Sequence, residues 1–220
     1  MKTSKSSLRL IKSAVFLLAL LPFAILMYDF AADKLSANPL DDITDTTGTW
    51  TLRFLLITLA NTPLRKITGW NTLAQLRRMT GLFAFFYVCL HFTTYLWLDK
   101  FFDWNEIVKD VAKRPFISVG FTSFVLLIPL ALTSWNRAMK WMGGKRWKIL
   151  HRLVYVTAVG GVIHYLWLVK ADTHRPLIYG VILSVLLVYR LSGFLRKRFI
   201  HKAGVINRKL PTGVVERVVN

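Results

Sequence analysis

The sequence has almost no cysteine and few acidic residues. Of its 220 residues one is a cysteine, Cys89, and 11 are aspartate or glutamate. A single cysteine excludes an internal disulfide framework, and without a Cys-x-x-Cys-His run there is no attachment site for covalent c-type haem. The chain also has no glycine-rich phosphate loop and no dinucleotide fingerprint, so we expect no bound nicotinamide cofactor.

Long apolar blocks dominate what is present. Hydrophobic residues make up 54% of the chain, and they gather in blocks near the roughly 20 residues that cross a hydrocarbon core of about 30 Å. We predict an all-α membrane protein whose residues 10–195 form a six-helix transmembrane bundle. The second span is short because Pro63 is expected to stop it. The six predicted spans are Leu10–Tyr28, Trp50–Thr62, Met79–Leu98, Phe116–Trp135, Ile149–Val169 and Leu177–Leu195.

The basic charge indicates topology. A net charge of +19 would suggest nucleic acid as the partner of a soluble protein. If residues 1–9 are cytoplasmic, however, most lysines and arginines fall on the inside, including those of the basic tail 196–220, and every acidic residue except Glu216 falls outside. This threading satisfies the positive-inside rule. We therefore predict cytoplasmic termini, a lipid bilayer as the surroundings and no nucleic-acid partner.

Three histidines lie inside the predicted spans: His91 in the third, and His151 and His164 in the fifth. Ionisable groups at membrane depth are costly and usually mark function, although any one of them could serve only to hydrogen-bond a neighbouring helix. A bare metal ion would need about four ligands, and no acidic residue lies inside a span to help. Imidazole binds haem iron, so the pattern predicts haem in a helical bundle.

Counting along the chain places two of these histidines at similar depth. The third and fifth spans run parallel, and each begins in a basic cluster. His91 lies 13 residues beyond Arg78 and His164 lies 16 residues beyond Lys148, about 20 and 24 Å along a helix. We predict that His91 and His164 bind one haem from its two sides, between the third and fifth spans.

His151 lies at a different level. It precedes His164 by 13 residues, which places it about 20 Å nearer the cytoplasm. At that level the third span offers Arg77, Arg78 and Thr80 but no histidine. A second haem there would lack the usual axial pair, so the sequence leaves open whether the chain holds one haem or two.

Arginines in or beside the spans are the remaining candidates for cofactor binding. Arg53 and Arg152 could each pair with haem propionates through two hydrogen bonds or could reach the membrane surface instead. Arg77 and Arg78 lie at the level of His151. We therefore include all four arginines among the candidate cofactor-binding residues.

Several ordered motifs resemble the family of haem-binding membrane subunits of bacterial periplasmic methionine-sulfoxide reductases. The resemblance covers about residues 9–200. The motifs are Leu52–Leu59 with Thr62–Arg65, Arg77–Leu82 leading to His91, Lys113–Phe116 with Pro129–Ser134, and Trp147–Tyr155 leading to His164 and Tyr165.

The resemblance implies an electron-transfer subunit without catalysis of its own, located in the bacterial inner membrane. It implies haem b, quinone as the electron donor, FMN as a further cofactor left open, and a periplasmic molybdopterin-containing catalytic subunit as partner. That partner would reduce methionine sulfoxide in oxidised proteins. The chain is more distantly similar to the ferric reductase and NADPH oxidase membrane core, which has two histidines on each of two helices. Here the third span has His91 alone.

Two alternatives stay open at this point. A stand-alone transmembrane reductase of ferric iron or another metal would need a cytoplasmic donor domain, for which the tail 196–220 is too short. A transporter with structural histidines would be expected to show internal repeats and broken helices, and the sequence shows neither.

Overall fold

The computed structural model of the chain describes residues 4–169 and 172–209, and only the backbone of residues 197–209. Within this part the regular structure is entirely helical, which confirms the predicted fold class. The helices are α1 (Lys5–Ala31), α2 (Pro39–Thr68), α3 (Thr72–Thr93), α4 (Trp104–Lys113), α5 (Pro115–Leu132), α6 (Asn136–Met142), α7 (Gly144–Leu150), α8 (Leu153–Leu168) and α9 (His174–Lys209), and a π-helical turn (Thr94–Asp99) extends α3.

Five helical segments of the described residues are long and apolar enough to cross a membrane. They are Lys5–Ala31, Thr72–Asp99, Pro115–Leu132, Gly144–Leu168 and His174–Arg196. α2 is not among them, because threonines, Arg53 and Asn61 interrupt its apolar residues. A membrane crossing by α2 therefore remains a prediction.

The predicted bounds of the second span are wrong. α2 is 30 residues long; it begins at Pro39, runs through Pro63 and ends before Gly69, whose φ of 69° suits glycine. A proline costs its helix one backbone hydrogen bond, but packed membrane helices tolerate it because neighbouring groups satisfy the freed carbonyl. The connection between α1 and α2 is consequently short, covering residues 32–38.

The hydroxyl group of a tyrosine on α3 bonds two backbone groups of α1. In a regular helix the Phe23 amide would donate to the Ala19 carbonyl, but here it donates to the Tyr87 hydroxyl at 3.1 Å. That hydroxyl in turn donates to the Ala19 carbonyl at 2.8 Å. Pro22 lies at this position inside α1, and an inserted side chain of this kind is a known cause of local helix distortion.

Two helix pairs form the centre of the first compact unit, Met1–Leu183. α2 packs along α3 and α5 packs along α8, while α2 also contacts α8 and α3 contacts α5. Between α2 and α3 the buried hydroxyl of Thr58 donates to Thr80 at 2.9 Å, and the Asn61 amide donates to the same oxygen at 3.2 Å. The four helices thus bring residues of the third and fifth predicted spans together.

The fifth predicted span is interrupted. α7 ends at Leu150 and α8 begins at Leu153, with His151 and Arg152 in the turn between them. The His151 amide still donates to the Trp147 carbonyl at 3.0 Å. The break places the His151 ring at a helix end, where its orientation differs from that of a residue inside a continuous helix.

α9 continues beyond the predicted end of the sixth span at Leu195. It is helical to Lys209, which is consistent with the absence of proline between Leu195 and Pro211. Residues from Ser184 onward form a separate compact unit. The first part of the predicted tail 196–220 is therefore helical, and residues 210–220 lie outside the described residues.

A buried lysine organises the connection between α3 and α5. Lys100 follows the π-helical turn and is only 6% exposed. Its ammonium group lies 2.7 Å from Glu106 and 3.0 Å from Asp110, both on α4, and 3.8 Å from Asp99. Arg114, just before α5, also pairs with Asp110 at 3.3 Å. These ion pairs hold α4 between the ends of two apolar helices.

We predict that Lys100→Met destabilises the protein. Glu106 and Asp110 would lose their shared cation, and breaking a buried ion pair in this way costs about 3 kcal/mol. The hydrogen bond with Glu106 raises the pKa of Lys100 above its ordinary value of 10.5. The lysine therefore contributes its full stabilisation of the fold below pH 10.5, and this stabilisation is lost as the pH rises through the raised pKa. Thermal unfolding in detergent measures the effect. The control Lys109→Met, on the exposed side of α4, should unfold like the parent protein; equal behaviour of both variants would contradict the prediction.

Candidate functional site

The structure brings the side chains of His91 on α3 and His164 on α8 next to each other. Their ring centroids are 6.1 Å apart, and the ring planes make an angle of 82°. The two residues are 73 positions apart in the sequence, so only the packing of the helices produces this pair. Each ring is held by a different neighbouring helix.

The amino-terminal part of α2 holds His91. Its Nδ1 lies 3.1 Å from the Thr44 carbonyl oxygen and 3.4 Å from the Thr47 hydroxyl. Thr47 is itself fixed, because its hydroxyl donates to the Ile43 carbonyl at 2.7 Å. A Cβ atom at Gly48 would lie 3.0 Å from the ring, so only glycine lets α2 approach this closely.

The first turns of α5 hold His164 in the same way. The Nδ1 atom of His164 lies 2.7 Å from the Phe116 carbonyl oxygen. A Cβ atom at Gly120, one turn further along α5, would lie 2.6 Å from that nitrogen. Both supporting helices have a small residue one turn after the carbonyl that contacts the histidine. These residues are Thr47 and Gly48 on α2, and Gly120 on α5.

These contacts determine the tautomer of both rings. A carbonyl oxygen can only accept a hydrogen bond, so Nδ1 of His91 and of His164 must carry the proton. In a neutral imidazole the lone pair then resides on Nε2. A backbone carbonyl bonded to the far ring nitrogen is the usual support of a metal-bound histidine. The pair is therefore prepared to bind metal through two Nε2 atoms.

The separation of the rings suits one metal ion between them. Metal–imidazole bonds are about 2.0–2.1 Å long, and each ring centre lies about 1 Å behind its ligating nitrogen, so two rings on opposite sides of one ion have centroids about 6 Å apart. The observed distance is 6.1 Å. Within the described residues no group of three or more His, Cys, Asp or Glu side chains is arranged to hold a metal ion, so the pair suits a metal that brings its remaining ligands with it.

His151 lines a separate cavity of about 320 Å³. Its Nδ1 lies 3.1 Å from the Trp147 carbonyl oxygen, and its ring stacks on the Trp147 ring at 3.9 Å. Its Nε2 is buried and makes no hydrogen bond. The backbone of Leu130 lies close to this ring, but a carbonyl cannot satisfy a lone pair, because both are acceptors.

The four candidate arginines occupy different places. Arg77 and Arg78 line the His151 cavity, and Arg78 also donates to the Asn136 side chain at 2.9 Å. Arg152 is exposed. Arg53 contacts two aromatic residues: its Nε donates to the Tyr179 hydroxyl at 3.0 Å, and its guanidinium lies 4.6 Å from the centre of the Trp50 ring.

Sequence reasoning missed the residues that hold the histidines. Thr47, Gly48 and Gly120 carry no chemistry of their own, and the bonds from Thr44 and Phe116 come from backbone carbonyls. Small residues within apolar helices do mark close helix approaches, and this signal could have indicated both glycines. It could not have indicated which histidine each one faces.

The fold and site together define a class: a helical protein with several apolar segments long enough to span a membrane and a pair of adjacent histidines between its helices. Comparisons agree with it. Residues 13–162 match the family described as ferric reductase like transmembrane component. The protein-methionine-sulfoxide reductase heme-binding subunit MsrQ of Herminiimonas arsenicoxydans is 58% identical over 197 residues, which cover 89% of this chain and 90% of that protein.

Two further relatives carry the same name. The MsrQ protein of Azospira oryzae is 53% identical over 182 residues, or 82% of this chain and 78% of that protein. The MsrQ protein of Rhodospirillum rubrum is 50% identical over 190 residues, or 86% of this chain and 91% of that protein. No solved structure matches the chain. The chain belongs to the MsrQ family of heme-binding subunits, within the ferric reductase like transmembrane proteins.

We predict that Gly120→Ala disturbs the histidine pair. A methyl group at this position would collide with the His164 ring and force α5 and α8 apart, and overpacking of this kind costs about 1–3 kcal/mol. Thermal unfolding reports the loss, and nitrogen NMR of labelled histidine reports the broken bond to Phe116. Gly81→Ala is the matched control, because its methyl group would meet Thr58 only at an ordinary 3.6 Å. A Gly120 variant as stable as this control would disprove the close approach.

Proposed function

We propose that this chain is a haem-binding electron-transfer subunit of the bacterial inner membrane. It takes electrons from the quinone pool and passes them through b-type haem to a periplasmic molybdopterin-containing subunit that reduces methionine sulfoxide in oxidised proteins. The observation that carries the proposal is the pair His91 and His164, each with Nδ1 bonded to a backbone carbonyl. Membership of the MsrQ family supports the assignment of haem.

The residues at the pair fit haem in particular. Haem iron takes two axial ligands from the protein and its other four from the macrocycle, which matches a site with two histidines and no third ligand among the described residues. When bound, haem supplies one-electron transfer. The Thr44 and Phe116 carbonyls hold both rings through Nδ1, which leaves each Nε2 free to bind a metal when the ring is neutral. Gly48 and Gly120 let α2 and α5 close against the rings and exclude water.

The His151 cavity supports a second, more weakly held haem. Its Nε2 has a lone pair and no partner, and Arg77 and Arg78 line the same cavity, where they could pair with propionates. Arg152 and Arg53 remain further propionate candidates. None of the residues that line this cavity is a second histidine, so such a haem would have one histidine ligand only. FMN is not part of the proposal, because no group among the described residues distinguishes a site for it.

The proposed topology has six crossings, with α2 as the second, and both termini in the cytoplasm. α2 packs along α3 and contacts α8, and it contains the buried apolar residues Leu52, Phe54, Leu55, Leu56 and Leu59. The placement of the basic clusters supports the orientation. In this threading the His91–His164 pair lies towards the periplasm and the His151 cavity towards the cytoplasm.

We predict different losses of haem for the three histidine variants. His91→Ala or His164→Ala should abolish the bis-histidine spectrum, whereas His151→Ala should leave it intact and remove at most the second haem. Reduced-minus-oxidised spectra and haem content per protein measure the outcome. His174→Ala, at the exposed start of α9, is the control. Complete loss of haem in the His151 variant would contradict two separate sites, and haem-free parent protein would favour a transporter with structural histidines.

We predict that electron transfer to the periplasmic subunit weakens as salt rises. The first turn of α2 carries Asp41 and Asp42, one helical turn before the carbonyl that holds His91. By contrast, Glu106 and Asp110 of α4 are paired with Lys100. A basic patch on the partner would therefore be attracted to the beginning of α2.

Re-oxidation of the reduced subunit by the purified partner, measured across ionic strengths, tests this. The double variant Asp41→Asn with Asp42→Asn should show a slower rate at low salt and a shallower salt dependence. Asp103→Asn is the control, because asparagine caps α4 as well as aspartate does. A rate that does not depend on salt would mean that docking is not electrostatic.

A further inference from the structure

The helix α4 has three different sides. Ile107 and Asp110 are buried against the protein. Residues Asn105, Lys109 and Lys113 are exposed and polar, and their spacing of four places them on one side of the helix. Trp104 and Val108, also four apart, are apolar and yet 65% and 66% exposed. A helix in water would be expected to bury these two residues.

The turn before α4 extends the same apolar side. Phe101 and Phe102 are exposed, with positive φ angles of 45° and 59°, a conformation that bulky residues rarely adopt. The Phe102 amide donates to the Leu96 carbonyl at 2.9 Å, and the Asp103 amide donates to the Lys100 carbonyl at 2.8 Å. The backbone is thus held so that two phenylalanines stay on the surface.

The connection places charge inside and aromatic residues outside. Lys100 and Asp110 are buried under α4, where Lys100 also pairs with the half-exposed Glu106, while the aromatic rings of Phe101 and Trp104 are exposed. Water would favour the reverse arrangement, because it solvates charges and excludes apolar surface. An apolar phase against this side of the connection accounts for both features.

The position along the chain identifies that phase. The preceding apolar segment ends at Asp99 and the following one begins at Pro115, so the connection lies where two spans leave the membrane. Trp97, on the π-helical turn that ends the preceding segment, is also exposed. Tryptophan and phenylalanine at a span end are typical of the membrane–water interface.

We propose that residues 101–113 form an interfacial anchor that inserts Phe101, Phe102, Trp104 and Val108 into the lipid headgroup region at one membrane surface. Amphipathic helices that lie in this region bury one apolar side and keep charged residues in water. The occupant of the exposed apolar side is therefore lipid, and the Lys100 ion pairs hold the helix parallel to the surface.

The anchor also connects the two supports of the histidine pair. α4 follows the continuation of α3, which carries His91, and it directly precedes Phe116, whose carbonyl bonds His164. Fixing α4 at the membrane surface fixes the depth of both. This inference rests on the membrane location of the chain and not on the presence of haem, so its test can fail independently of the proposed function.

Spin labels on α4 test the proposal. In a Cys89→Ser background, single cysteines replace Val108 or Lys109, and the labelled protein is placed in nanodiscs of phosphatidylethanolamine and phosphatidylglycerol. We expect the label at Val108 to collide more often with oxygen than with a water-soluble nickel chelate, and the neighbouring label at Lys109 to show the opposite order. More collisions with nickel at both positions would place the whole helix in water, and more collisions with oxygen at both would place it inside the lipid. Either result would overturn the proposal.

Two additions distinguish the remaining outcomes. Trp104→Ser should raise the collision rate of the Val108 label with the nickel chelate several-fold, whereas Asn105→Ser, on the polar side, should leave it unchanged. An unchanged rate in the Trp104 variant would overturn the anchoring role. If the Val108 label is shielded from the chelate only after the periplasmic subunit is added, the apolar side is a protein interface and the proposal is wrong.

Discussion

The bonds from two backbone carbonyls to two buried histidines are the constraint on which the site depends. Thr44 and Phe116 belong to different helices, and each accepts the Nδ1 proton of a histidine on a third or fourth helix. An unpaired polar group in a membrane interior is costly, so these bonds also stabilise the packing of α2 on α3 and of α5 on α8. The same two contacts therefore order the bundle and leave the lone pair of each neutral ring on Nε2.

The two levels of the bundle differ in the number of histidines they offer to a ligand. At the His91–His164 level two rings lie 6.1 Å apart at nearly a right angle, and the backbone at Gly48 and Gly120 comes close to them. At the His151 level one ring lies at a helix break, stacked on Trp147, beside a cavity with two arginines. The first level suits a permanently held cofactor with both axial positions filled. The His151 cavity has room for a ligand that a histidine would coordinate on one side only.

The departures from the sequence prediction have identifiable physical causes. Pro63 does not end α2, because a packed neighbour can satisfy the carbonyl that proline leaves free. A feature that the sequence analysis did not predict is the group of ion pairs in which Asp99, Glu106 and Asp110 surround the buried Lys100. Neither outcome could be read from composition or periodicity, since both depend on residues that are distant along a helix or belong to another element.

By itself the sequence determined the helical class, most of the membrane segments and the three buried histidines, because apolar length and the cost of ionisable groups in lipid act locally along the chain. Counting from the basic clusters also placed His91 and His164 at one depth. Tertiary structure alone decided that their rings are 6.1 Å apart and which nitrogen each ring offers to a metal. It also decided that α2 lies against the His91 ring at Gly48 and that α5 lies against the His164 ring at Gly120. These properties arise from contacts between helices, which no pattern within a single helix records.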